Sequence, residues 1–556
     1  MNRKVEAMLR SRQISDPPSG HDEPPVAAPD GPPADLHVEP EQAEERPRGP
    51  KPRIDPSSPI ADAEFTPEHA RHLLWRSGFG GTPEQIQTLA AWGPSRSVDY
   101  LLNVGDIPFD GVVTDLFKSD IMRAPTAEER ASARLAARSQ DEESLARFRV
   151  MRQQAERADR LQIREVQEWW LSRMIQTPRP LEEKMTLFWH GHFATSYRTI
   201  ENSYHMFRQN QLFRANALGN YAKLMYEIIR DPAMLAYLDN NDSRKGRPNE
   251  NLARELMELF SLGVGNYSEN DIREGARALT GYTFNENEFV FRREDHDNGR
   301  KSILGRSGSL DGDGFVTAIL EKRATSRFMA RKLYRYFVAE LPEREKDMDP
   351  VTRRYVDGIA STLASRRYEL KPVLRQLFLS RRFYESDVMG QQIKSPVQLV
   401  VGAVRSLRTP IRDLGTLLDA MDLMGQSIFF PPSVNGWDGG RSWINTSTMY
   451  VRQNVMTFLL TGRKPRGRDA GASIEQYDPS RLVAEIAERD PAIRTDVEAM
   501  LRALARFVVG RDSESLIAPI REYVARATSG GTAPTDPRVL TGVLLLLTAA
   551  PEYQLN

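Results

Sequence analysis

Cysteine is absent from all 556 residues. That excludes disulfides, iron–sulfur clusters, thiolate zinc sites and a cysteine nucleophile, while leaving the compartment open. Net charge is also absent: 76 lysines and arginines balance 76 aspartates and glutamates. A balanced chain carries no electrostatic footprint for nucleic acid, and no nucleic-acid partner is expected. No run of about 18 apolar residues occurs, so no membrane span is expected. The closest approach, residues 539–550, is too short. The opening MNRKVEAMLRSRQ has no apolar centre of the signal-peptide kind, which predicts a cytoplasmic protein. A misassigned start codon would hide such a signal, so export stays open. A nucleophile elbow, a Walker A loop, a dinucleotide fingerprint and HExxH are all missing.

Residues 1–60 are low in aromatics and hold about a third of the 36 prolines. Such a segment buries too little apolar surface to offset its ordering entropy, which predicts a disordered leader. Beyond it the patterning is helical almost throughout. The expected fold is all-α: a large irregular multi-helix array with one small β-hairpin near 288–304. The expected organisation is a helical core domain over 61–463, a basic glycine-bearing linker over 464–477, and a helical segment over 478–556 packed on the core. Thr66 before Pro67 and Thr82 before Pro83 are helix-start signals. Residues 126–176 read as a charged, protruding helical stretch, broken near 139–141 into an antiparallel pair.

The densest pattern lies at 249–282, NENLARELMELFSLGVGNYSENDIREGARALTGY. Asn249 is a helix cap, and Gly263 and Gly265 mark the stop. At about 100° per residue, Leu252, Ala253, Leu256, Met257, Leu259 and Phe260 share one arc, the core face. Asn251, Glu255 and Glu258 share another, with Arg254 between the faces and in reach of Glu250 or Glu258. This is either a helix laced by charge pairs or a partly buried polar cluster held for binding or chemistry. Asn251, Arg254, Glu255 and Glu258 are therefore the catalytic candidates. Ser268 with Asp271 forms a capping box for a second helix that ends at Gly281.

Three further segments carry ligand-type side chains. In LEEKMTLFWHGHFATS a helix should stop at Gly191, and an extended exit would put His190 and His192 on one side. Glu183 shares the face of His190. His296 and Asp297 sit where Asp297, Asn298 and Gly299 predict the turn of the hairpin. Asp239, Asn240, Asn241 and Asp242 form an oxygen-rich loop that leads into the 249–282 stretch. Imidazole with carboxylate suits a divalent metal ion that polarises a substrate or activates water. The metal candidates are His190, His192, Glu255, His296 and Asp297. Each also has a plain structural reading, as a helix end, a packed ring or a turn.

Several segments in order, among them HARHLLWRSGFGGTPEQI, LEEKMTLFWHGHFAT, MLAYLDNND, HDNGRKSILG, GWDGGRSWINTSTMYVRQN and APEYQ, together with the 249–282 stretch, resemble the bacterial domain-of-unknown-function family 1800. The resemblance covers roughly residues 65–555. It implies no agreed activity and no catalytic residues to transfer. It does imply a genomic neighbour of domain-of-unknown-function family 1501, which resembles sulfatases and alkaline phosphatases. Two functions follow as expectations: a binding or assembly partner of such a sulfatase-like protein, or a metal-dependent hydrolase.

Overall fold

The computed structural model of the protein describes residues 55–109, 117–463, 475–488 and 490–556. Most of the leader expected over 1–60 and of the linker expected over 464–477 lies outside the described residues. Packing begins before residue 60, however. The Ile60 amide donates to the Leu379 carbonyl (2.8 Å) and its side chain is buried.

Helices start where the sequence signals them. Thr66 caps α1 (Pro67–Ser77) and Thr82 caps α2 (Pro83–Leu102), each with proline in the first turn. The charged stretch forms the predicted pair, α3 (Ala127–Ser139) and α4 (Glu142–Gln176). Gln140 takes the left-handed conformation between them, and the Asp141 carboxylate accepts from the Ser144 amide. α4 enters the core only in its second half, through Ile163, Val166, Trp169 and Trp170. Next come α5 (Pro180–His192), α6 (Tyr197–Ile200), α7 (Ser203–Ala215), α8 (Tyr221–Ile228), α9 (Pro232–Tyr237), α10 (Asn251–Glu258) and α11 (Glu269–Ala278).

The expected single hairpin is two. β1 (Tyr282–Asn285) pairs with β2 (Glu288–Phe291), and β3 (Lys301–Ile303) pairs with β4 (Arg306–Gly308), both antiparallel. The extended runs at 288 and 301 each pair with a nearer neighbour, not with each other. Leu304 and Gly305 both adopt positive φ (51° and 83°), the requirement of a tight two-residue hairpin turn. Asp297 instead folds back on its own loop and accepts from the Gly299 amide (2.8 Å).

The remaining described residues are mainly helical: α12 (Gly312–Leu320), α13 (Arg323–Phe337), α14 (Pro350–Ser365), α15 (Leu370–Leu379), α16 (Pro396–Leu407), α17 (Leu414–Leu423), α18 (Thr446–Thr461), α19 (Ser480–Ala487), α20 (Val497–Val509), α21 (Glu514–Thr528) and α22 (Pro537–Ala549). The fold is thus mainly α, with two small hairpins.

Two apolar clusters form the interior. The first gathers the apolar faces of α5, α8 and α10–α15. The second joins Trp169 and Trp170 of α4 to α16, α17, α18 and the helices after residue 480, and Phe507 packs against both. The end of the chain is threaded inward. The Lys394 amide donates to the Gln554 carbonyl, and Lys394 Nζ donates to the Tyr553 carbonyl (2.6 Å). That nitrogen also lies 4.0 Å and 3.9 Å from the ring centroids of Trp75 and Tyr553. Among the described residues no helix is long and apolar enough to cross a membrane.

Candidate functional site

α10 buries Leu252, Ala253, Leu256 and Met257, which is the predicted core arc. Glu250, not the expected Asn249, takes the cap position of α10; Asn249 stands one residue earlier, where its side-chain oxygen accepts from the Asn251 amide (2.9 Å). Asn251 is exposed. Arg254 reaches Glu250 (3.3 Å) and Glu269 of α11 (3.0 Å), not Glu258. Glu258 instead accepts from the Tyr267 hydroxyl (2.7 Å). Glu255 is half-buried and has no hydrogen-bond or ion-pair partner among the described residues. Burial pushes its carboxyl above the usual range, and the neighbouring Glu258 charge adds to that.

The oxygen-rich loop before α10 opens onto a cleft of about 570 Å³. Its backbone is fastened from several sides. Asn240 is buried, and its Nδ2 donates to the carbonyls of Leu279 (3.2 Å) and Tyr282 (3.0 Å). The Ser243 carbonyl accepts from Gly281, and the Ser243 hydroxyl accepts from the Asn249 amide (3.0 Å). Asn249 Nδ2 donates to the Asp239 carbonyl (3.0 Å), and the Lys245 amide to the Asp295 carbonyl (2.7 Å). Between these ties the loop turns at Gly246, which has φ 81°.

The side chains on this frame are free by contrast. Arg244, Arg247 and Arg292 face Asp239, Asp242, Glu250 and Asp295 across the cleft lining, and no aromatic or aliphatic side chain lines it apart from Pro248. Arg292 approaches Asp295 only to 4.0 Å, and Glu250 is held by Arg254. Arg244, Arg247, Asp239 and Asp242 make no side-chain hydrogen bond or ion pair among the described residues. The sequence marked Asp239, Asn241 and Asp242. It gave no weight to the arginines of SRKGRP, nor to Arg292 and Asp295, which the β1–β2 hairpin brings alongside. Alternation of guanidinium and carboxylate in 239–250 was the available signal.

The histidines go elsewhere. α5 does not stop at Gly191 but runs through His192. Residues two apart on a helix point to different sides, so His190 and His192 diverge. His190 Nε2 accepts from the Phe429 amide (2.9 Å), and its ring packs against Trp170, Phe429 and Trp437. His192 Nε2 donates to the Phe260 carbonyl (3.0 Å) and stacks on Phe188. Burial pulls the His190 imidazole down to about 3 and that of His192 well below its usual range, so both rings are neutral. Glu183 is fully buried. Burial raises its carboxyl, but Arg214 (2.7 Å) and Arg173 (2.5 Å) more than offset this and keep it ionised. His296 Nδ1 donates to the Thr280 carbonyl (2.8 Å). Asp297 is clasped by Arg277 (2.8 Å), which holds its carboxyl down at about 2.

The metal candidates His190, His192, Glu255, His296 and Asp297 are therefore not gathered. Each imidazole bonds a different backbone segment, and Asp297 is occupied by Arg277. Among the described residues no three His, Asp or Glu side chains come together as a cation-binding group. As placed, these five residues do not form one coordination sphere for a divalent metal ion.

These features define a class: a multi-helix protein with a preorganised, mixed-charge cleft at the entrance to α10. The chain belongs to the family described as "Protein of unknown function (DUF1800)", whose model matches residues 72–555. No curated protein and no solved structure matches it.

Proposed function

We propose that this chain is a binding and assembly protein that works beside a sulfatase-like protein of family 1501, with the cleft at Asp239–Glu250 and Arg292–Asp295 as its recognition site. One observation carries the reading. His190, His192, His296, Asp297 and Glu258 serve internal ties, whereas the cleft combines a fastened backbone with four charged side chains, Asp239, Asp242, Arg244 and Arg247, that have no side-chain partner among the described residues. A rigid frame with free polar groups binds without a large ordering cost. Arg254 then acts in binding by holding Glu250 at the rim, and Asn251, Glu255 and Glu258 support the helix behind it. The metal-hydrolase alternative has no third ligand to draw on among the described residues.

Co-expression with a family-1501 protein, with an affinity tag on this chain alone, tests the assembly. Elution of both chains in stoichiometric amounts is expected. Elution of this chain alone, at low salt and in repeated preparations, contradicts the reading.

A further inference from the structure

The composition of the cleft narrows what it can hold. Its lining has three guanidinium groups and four carboxylates, with Asn241, Asn249 and Ser243 between them. A peptide brings apolar side chains that need apolar walls, and a lipid or aromatic cofactor needs more of them. The lining offers only Pro248. A polyanion such as nucleic acid needs an excess of positive charge and stacking rings, and the cleft has neither. Guanidinium groups bind planar or tetrahedral oxyanions in a forked geometry. Free carboxylates and asparagine oxygens accept from several hydroxyls at once. A compact, hydroxyl-rich molecule with one oxyanion satisfies both halves of the lining.

We infer that the cleft is a receptor for an acidic saccharide, a sugar bearing a carboxylate, sulfate or phosphate group. The inference rests on the cleft being a recognition site. Arg247 and Arg292 hold the oxyanion. Asp239 and Asp242 accept from ring hydroxyls. Because the fastened backbone is already shaped, the side chains alone need to order on binding.

The test is calorimetric titration of the full-length protein with four probes: galacturonate, N-acetylgalactosamine 4-sulfate, glucose 6-phosphate and the neutral trisaccharide maltotriose. At least one acidic probe should bind and maltotriose should not. Arg247→Ala and Arg292→Ala should each weaken that acidic probe by at least about tenfold, the loss expected for one charge-assisted hydrogen bond. Asp242→Asn should weaken it less, since the amide oxygen still accepts. Which acidic probe binds identifies the oxyanion. The inference is overturned if no acidic probe binds at millimolar concentration, if maltotriose binds equally well, or if inorganic sulfate or phosphate alone competes with the same affinity. Retained binding in both arginine variants overturns it too. Arg247 is exposed and without a partner, so its variant should fold, and its unfolding midpoint serves as the control. Co-elution with the family-1501 protein is measured separately, so either outcome can fail without the other.

Discussion

Lys184 lies wholly inside the fold with its ammonium nitrogen unpartnered, 5.4 Å from the ring centroids of Phe79 and of Tyr336. Burial drives this amine well below the usual lysine range, and buried Arg76 pushes it further. The unfolded chain therefore binds a proton that the folded protein lacks, and stability falls as pH drops below the ordinary lysine value. Lys184→Met removes the penalty at similar volume. It should stabilise the protein by about 1–3 kcal/mol near neutrality, with a gain that shrinks towards alkaline pH. Urea denaturation at several pH values reads this, and a variant less stable than wild type contradicts it. Asp231 gives the opposite slope. It caps α9 by accepting from the Met234 amide (2.9 Å), and Gln209 Nε2 donates to the same oxygen (2.7 Å). Burial nonetheless pushes its carboxyl up to about 6. From about pH 4 to about pH 6 the folded protein holds a proton that the unfolded chain has lost, so stability falls as pH rises through that window. Asp231→Asn keeps an accepting oxygen. It should gain on the order of 2 kcal/mol over wild type at neutral pH and nothing below about pH 4. A gain independent of pH between those values contradicts the assignment. Neither group was legible beforehand, because a lone lysine or aspartate in a helical segment reads as solvated until packing buries it.

Local signals fixed many element boundaries. The Thr-Pro starts, the Ser268–Asp271 capping box, the break between α3 and α4 and the left-handed Gly281 appear where the residues place them. Gly191 misled because α5 runs straight through it, and a Cβ there would meet only the Trp437 ring at 3.8 Å, an ordinary contact. A Cβ at Gly436, itself at φ 77°, would sit 2.3 Å from the Gly191 carbonyl oxygen, and Trp437 closes over the same turn of α5. Gly436 is the glycine that this approach requires, and Gly191 does not end the helix. The DNG segment misled similarly, since Arg277 captures Asp297 before it can turn a hairpin. At this scale the frame of the cleft is testable. Asn240→Ala strips the partner from two buried carbonyls, Leu279 and Tyr282. It should destabilise the protein by about 1–3 kcal/mol and speed amide exchange across residues 239–250, read by mass spectrometry. Unchanged exchange in that loop would show that Asn240 does not fasten it.

Across the whole molecule, the helical class and the family could be read from ordered motifs, and the family model covers residues 72–555. The cleft was half legible. Three of its carboxylates stand in one run before α10, but Arg292 and Asp295 follow the β1–β2 hairpin, where the Arg292 amide donates to the Gly281 carbonyl and the Asp295 carbonyl accepts from the Lys245 amide. The expected convergence of histidine and carboxylate failed for a physical reason as well. Both α5 imidazoles are neutral and bonded to backbone, so they tie α5 to the 428–430 loop and to the end of α10. These bonds join the helices and leave neither imidazole free for a ligand. Native mass spectrometry of this chain co-expressed with a family-1501 protein tests the proposed assembly most directly. The account predicts a mass equal to both chains together, unchanged after treatment with a chelator. This chain alone, carrying a stoichiometric divalent metal ion that the chelator removes, would contradict it.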